Sequence, residues 1–304
     1  MKNYFKFLLA VFFTSLLICF LTVKFCSAEN LTIKMLNVGQ GDSILIQSPT
    51  ENILVDTSDA DERDKLLNEL HKAGVKKIHK LILTHPHADH IGNAAYMTKL
   101  GAINQIFDNG IISASKFYTS YLDACKKFSV KHNTLKHGDK IFIGDAYIEV
   151  FAPSEEKINL VNSGKKSDPN NESIVFKLVN QNFSMLFTGD AEIPTENFLI
   201  QNNFNLKAVV LKAGHHGAAS ANSLPFVKAV SPNFVLISAG VKTTKRGGNT
   251  YGHPRQEALK AFLDSGVPTK NIFCTANNGT ITIFSDGVKF SVNPEYTVDW
   301  LNVD

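Results

Sequence analysis

THPHADH, residues 84–90, places three histidines and an aspartate within six consecutive positions directly after the apolar run KLILT. A histidine-rich polar turn at the end of a strand is one reading; a metal site is the other. Pro86 disfavours helix for His85, so His85 and His87 lie on extended chain, where residues two apart point the same way. Asp89 and His90 follow at the mouth of the next helix, so one short loop presents two ligand pairs. Burying several ionisable groups is costly unless a metal or hydrogen bonds compensate. Neutral imidazoles with carboxylates suit zinc, with manganese or iron as alternatives.

One loop cannot complete two coordination spheres, so the metal reading requires donors at other strand ends. The sequence supplies them. Asp190 closes MLFTGD, where Gly189 allows close backbone approach, and His215 and His216 close AVVLKAG. Asp56 ends a third strand. Taken alone, TGD is a hairpin turn; set beside the histidine loop, it becomes a candidate bridging carboxylate.

Working outward, Leu31 onward reads as a meander: LTIKMLNV, the turn GQGD, SILIQS, a turn, and NILVD. Gly39 and Gly41 shape the GQGD turn, and Asp42 reads as a turn-stabilising carboxylate. A helix over 61–73 stops at Gly74. After the histidine loop come a helix over 91–100, strands near 104–107, 140–142 and 146–151, and a helix over 116–128. Residues 153–171 form the longest expected loop. Paired strands SIVFKLVN and FSMLFTGD follow, then helices near 192–202, 224–230 and 255–263, alternating with strands LKAVVLKAG and NFVLISA. Strands NIFCT, TITIF and VKFSV close the chain. Two runs of strands interleaved with helices imply two sheets packed face to face with helices outside, an α/β αββα sandwich of mixed sheets. No composition break divides residues 29–304, which read as one domain.

Residues 1–28 stand apart. Lys2 and Lys6 precede an uncharged stretch over 7–23, and Cys26-Ser-Ala28 supplies small residues at a cleavage point, the layout of a secretory signal peptide. Seventeen uncharged residues also reach the lower limit for a bilayer span, so a retained N-terminal membrane anchor is the alternative; either makes the remainder exported. Beyond that segment no long apolar stretch exists, which excludes a transmembrane channel. The 304-residue chain carries 31 basic and 28 acidic side chains; without Lys2, Lys6 and Lys24 the two balance. Affinity for a polyanion must then come from local patches such as Lys242-Thr-Thr-Lys245-Arg246 or Lys126-Lys127. Cys125 and Cys274, two cysteines alone, define neither a disulfide framework nor a thiolate site.

NVGQGDSILI, LVDTS, THPHADHIGN, TGD at 188–190, LKAGHHGAAS and NTYGHP, in this order, resemble the metallo-β-lactamase fold. Within it they are similar to the hydrolase domain of the DNA-uptake competence protein ComEC and its free-standing relatives, across 30–292. The resemblance implies two divalent metal ions between the sheets. By position, His85 and His87 bind the first, Asp89, His90 and His215 the second, and Asp190 bridges; Asp56 orients the ligand loop. Many members of the fold add a third histidine to the first metal. Asn170-Asn-Glu-Ser173 has none here, and His132 and His137 lie in a polar segment read as surface loop. Asn171 faces the site by this resemblance, and His253 contacts substrate or protonates a leaving group. His216, Ser220 and Lys212 are candidate substrate contacts, and Asp89, Asp190 and His253 the candidate catalytic groups.

Two metal ions about 3.5–4 Å apart can activate water without a serine or cysteine nucleophile, and no GxSxG element occurs. The expectation is a secreted metal-dependent hydrolase of phosphodiesters, either nucleic acid such as DNA or a phosphorylated envelope polymer. The alternatives are hydrolysis of a β-lactam, lactone or thioester, and a non-catalytic, metal-stabilised binding domain.

Overall fold

Apolar side chains alternate with polar ones along Leu31–Met35 (β1), and burial follows: Leu31, Ile33 and Met35 point inward. A computed structural model describes residues 30–244 and 248–301; the expected signal segment and Lys245 and Arg246 of the basic patch lie outside the described residues. β1 pairs antiparallel with Ile44–Gln47 (β2), which pairs with Asn52–Val55 (β3). Parallel pairing then adds Ile78–Ile82 (β4), Ile103–Asp108 (β5) and Lys131–Thr134 (β6). Lys140–Ile143 (β7), Ala146–Ala152 (β8), Val175–Asn180 (β9) and Phe183–Phe187 (β10) are antiparallel in the second sheet. Val210–Lys212 (β11), Phe234–Ile237 (β12) and Ile272–Cys274 (β13) extend it in parallel. Ile281–Ser285 (β14) and Phe290–Pro294 (β15) return to the first sheet beside β1, giving the orders β15-β14-β1-β2-β3-β4-β5-β6 and β13-β12-β11-β10-β9-β8-β7.

The inner faces interdigitate. Ile33, Ile46 and Ile53 of the first sheet share a buried cluster with Ile148, Phe176 and Phe187 of the second. Cross-strand partners Phe176 and Phe187 stack with centroids 4.5 Å apart, worth roughly 1 kcal/mol beyond their buried area. The outer faces are covered by helices. Leu66 and Leu70 from the helix Arg63–Lys72 pack on Leu45, Leu54 and Leu81, and Phe226 and Phe262 pack on Leu211, Val235 and Ile237. The expected αββα sandwich is the observed architecture.

Four local expectations are corrected. Residues 153–171 are not open loop: Ser154 caps a helix over Glu155–Asn162 by accepting from Lys157 N, and a 3-10 turn spans Pro169–Glu172. The segment holding His132 is edge strand β6, while His137 is an exposed turn residue. The helix expected over 91–100 begins earlier as one turn, Ala88–Ile91, and restarts as Ala94–Lys99, with Gly92 N between them donating to Ser58 O at 3.0 Å instead of extending the helical ladder. The last strands divide between sheets, β13 in the second and β14–β15 in the first. Cys125 and Cys274 are buried free thiols. Among the described residues no helix is long and apolar enough to cross a membrane.

Candidate metal centre

The parallel strands of both sheets end at one edge, the place where α/β sheets present ligands. Asp56 follows β3, the 84–90 loop follows β4, Asp190 follows β10, Lys212 to His216 close β11, and Ser238 follows β12. Two glycines let these segments meet. At Gly189 (φ +51) a Cβ would lie 2.9 Å from the Ser173 Cβ, and at Gly41 (φ +121) it would lie 2.3 Å from the Asp89 carbonyl oxygen. The GQGD turn is thereby clamped on the ligand loop, with Asp42 N donating to Asp89 O at 3.0 Å and Ser238 Oγ to Gly41 O at 2.7 Å.

Asp190 is the hub. Its Oδ2 lies 3.2 Å from His90 Nε2, 3.5 Å from His216 Nε2, 3.7 Å from His215 Nε2 and 3.8 Å from His85 Nε2. His85 Nε2 also faces His87 Nδ1 at 3.0 Å, and His216 Nε2 faces Asp89 Oδ2 at 3.2 Å. Donor atoms of Asp89, His90, Asp190 and His216 all fall within 4.8 Å of one another.

The far nitrogens are held by the scaffold. Asp56, itself in the left-handed region (φ 60), accepts from Thr84 N at 2.8 Å, Thr84 Oγ1 at 2.7 Å and His90 Nδ1 at 2.8 Å. Those three bonds offset the roughly 1–2 kcal/mol that the conformation costs. His216 Nδ1 donates to the Ser238 carbonyl at 2.8 Å, and His215 Nδ1 lies 3.0 Å from Glu192 Oε1. Farther out, Asn222 accepts from Gly214 N, donates to Gly214 O and is itself held by Glu196, so the turn bearing both histidines is fixed. Burial pushes the Glu196 carboxyl up to about 7.

Burial alone would keep Asp42 protonated, but the Lys212 ammonium, helped by His216 and His90, brings its carboxyl down to about 2. Asp89 and Asp190 are likewise held low against burial, chiefly by His90. Conversely, burial opposes protonation of His90 and His216, yet Asp190 outweighs it, lifting His90 well above the imidazole range and His216 to about 10. Burial, then the His90 charge, lowers His85. Carboxylates therefore outnumber fixed cations here, and a bound dication would meet the same need as those protons. Unanswered atoms agree: Asp190 Oδ1 and Asp42 Oδ1 are buried without a hydrogen-bond partner, and His90 Nε2 makes no well-directed bond. The donor set, with nitrogens and carboxylate oxygens around a shared aspartate, fits divalent metal ions.

The structure brings His85, His87, Asp89, His90, Asp190, His215 and His216 together, but it orders the last pair differently from the sequence reading. His216, expected among substrate contacts, is 1% exposed and sits inside the cluster; His215 has a 24% exposed side chain and reaches Asp190 from the rim. Both occupy the left-handed region (φ 46 and 53), so their rings diverge, 6.0 Å apart at 65°. Lys212 is not placed to touch substrate. It is 1% exposed, donates to Gly189 O at 2.8 Å and pairs with Asp42 Oδ2 at 2.5 Å, which makes Asp42 a buried partner rather than a mere turn residue. Asn171 and Ser220 both bond Glu192. His253 lies with its ring 5.5 Å from that of His215 and its Nδ1 unpartnered; burial, then His216 and His215, lower it to about 4. At neutral pH it is an uncharged imidazole. Sequence reasoning missed Glu192 and Ser238, because a glutamate opening a helix and a serine ending a strand carry no metal signal on their own.

Two packed mixed sheets with a His/Asp centre between their strand ends define the metallo-β-lactamase fold, and the chain has it. The family model for the metallo-beta-lactamase superfamily matches residues 36–118. Among curated proteins the chain is 29% identical over 292 residues to "ComE operon protein 3" of Bacillus subtilis (strain 168), covering 89% of this chain and 35% of that protein. It is 27% identical to "Competence protein ComA" of Neisseria gonorrhoeae, covering 76% and 29%. The chain thus spans about a third of the length of these relatives. The metallo-beta-lactamase fold protein YhfI of Bacillus subtilis superposes with a TM-score of 0.55 at 15% identity, covering 84% of this chain and all of that one, a likeness of fold.

Proposed function

We propose that this chain is an exported metal-dependent hydrolase of phosphodiesters, such as DNA or a phosphorylated envelope polymer. The observation that carries the metal-dependent chemistry is the convergence of four imidazoles, those of His85, His90, His215 and His216, on Asp190 Oδ2, with buried donor atoms left unanswered. His85 and His87 would hold one ion, Asp89, His90 and His216 the other, and Asp190 would serve both. Divalent ions held there would supply Lewis-acid polarisation and lower the pKa of bound water.

The protein's own groups do the rest. Asp56 and the Ser238 carbonyl take the Nδ1 protons of His90 and His216, so both rings turn a basic Nε2 toward the centre. Lys212 neutralises Asp42 and holds the Gly189 carbonyl, which keeps Asp190 aimed inward. Neutral His253, its ring beside that of His215, is suited to donate a hydrogen bond to a substrate oxygen or to accept one from a substrate hydroxyl. The phosphodiester preference is supported by the likeness to competence proteins, and export by the charge and hydropathy layout of residues 1–28.

Metal analysis of the purified protein, coupled to hydrolysis of bis-nitrophenyl phosphate, DNA and RNA with zinc or manganese supplied, tests the reading. Turnover of any of the three that a chelator abolishes supports it. Intact phosphodiesters together with hydrolysis of nitrocefin or a thioester would transfer the chemistry to carboxyl compounds. Metal uptake with all substrates intact would leave a metal-stabilised binding domain.

A further inference from the structure

The ion assigned to His85 and His87 is one nitrogen short by sequence, since residues 170–173 contain no histidine. We infer that His215 supplies that nitrogen and that Glu192 is the positioning residue that aims it. This inference rests on the metal-centre reading above.

Four imidazole nitrogens approach Asp190 Oδ2, and His215 and His85 are the farther pair, at 3.7 and 3.8 Å against 3.2 Å for His90 and 3.5 Å for His216. The neighbouring His216 is already committed to the other side through Asp89 Oδ2. Consecutive left-handed residues at 215 and 216 send the two rings apart, so one HH pair serves two places. Glu192 is fixed on three sides: its Oε1 accepts from Ser220 Oγ at 2.6 Å, its Oε2 from Asn171 Nδ2 at 3.3 Å, and its backbone N donates to Asn171 Oδ1 at 3.3 Å. That immobile carboxylate takes the Nδ1 proton of His215, which fixes the tautomer with its lone pair on Nε2. Histidines that bind metals are commonly oriented this way, and loss of the orienting partner weakens binding about 10–100-fold. The rim position of His215 explains why the residue is less buried than His216 while facing the same aspartate.

Glu172 is the competing donor. It is 3% exposed with Oε1 unpartnered, and its backbone carbonyl is bound by Asn109 Nδ2.

Stepwise zinc affinities of the full chain, measured by competition with a chromophoric chelator, and cadmium-113 NMR separate these assignments without any activity assay. His215→Ala, and His215→Gln should the alanine variant lose its fold by circular dichroism, is expected to weaken one of two sites about 10–100-fold and to move one cadmium resonance. Glu192→Gln is expected to act on that same site, and Glu172→Gln to leave both as in the unaltered protein. Wild-type affinities and resonances in the His215 variants overturn the assignment, as does a Glu172→Gln variant that moves a resonance. An unaffected Glu192→Gln beside an affected His215 variant overturns the positioning role. A wild-type chain that takes up no zinc sinks the metal-centre reading itself, and this inference with it.

Discussion

Two groups of aspartate and histidine sit at strand ends, one at the end of β5 in the first sheet and one where the strand ends of both sheets meet, and they differ in one respect. At the end of β5, Asp108 Oδ2 accepts from the Tyr121 hydroxyl and faces His132 Nε2 at 2.9 Å, while Oδ1 accepts from Gly110 N at 2.9 Å. Each carboxylate oxygen there has its partners. Around Asp190, four imidazole nitrogens crowd one oxygen, the other oxygen has no hydrogen-bond partner and only the distant Lys212 ammonium at 3.9 Å, and His90 Nε2 is left without a well-directed bond. Residue type is the same in both places. What marks a metal centre is the excess of converging donor atoms over the protons available to join them, because buried polar groups are otherwise satisfied.

The sharpest way to break this contrast is to remove the hub. Asp190→Ala should strip the zinc content of the purified protein and lower kcat on bis-nitrophenyl phosphate by about a thousandfold or more, the several kcal/mol that metal catalysis contributes. Tyr121→Phe, which opens the self-contained group instead, should leave metal content unchanged; metal analysis of both variants decides.

Next in size is the ion pair beneath the centre. Lys212→Met leaves Asp42 buried beside no ammonium, and breaking such a pair typically costs about 3–5 kcal/mol. Urea unfolding should report that loss at neutral pH and a smaller one in acid, where Asp42 takes up a proton. Equal stability of the variant and the parent at pH 7 would show that the pair is expendable.

The smallest effect belongs to His132. Its bond to Asp108 raises the imidazole above its usual value of about 6.5, so the folded state favours the protonated form. The stabilisation is then fully present below about pH 6.5 and fades as pH rises through the raised value. Because the ring is part-exposed, the difference should be under about 1 kcal/mol. His132→Gln should flatten that slope in unfolding measurements between pH 6 and 8, whereas an unchanged slope would assign it to another group.

Much of this was legible in the chain. Period-two alternation marked β1, helical spacing marked the helix expected over 61–73 and found as Arg63–Lys72, and HPHADH announced its donors. Legibility failed where signals were short or nonlocal. β6, KHNT, has no apolar alternation because it is an edge strand with little to bury, and the helix over Glu155–Asn162 was hidden in a polar stretch that carries one buried side chain, Ile158.

The site shows the same division. Residue types and their spacing along one loop determined that His85, His87, Asp89 and His90 would stand together, since local backbone geometry decides which neighbours point alike. The sequence also determined that β14 and β15 are strands. Only tertiary structure decided that they pair beside β1, roughly 250 residues upstream, that His216 rather than His215 enters the inner cluster, and that Glu192 stands behind His215. Hydrophobic periodicity specifies which face of an element is buried but not against what, so contacts made across two packed sheets are settled by the packing itself.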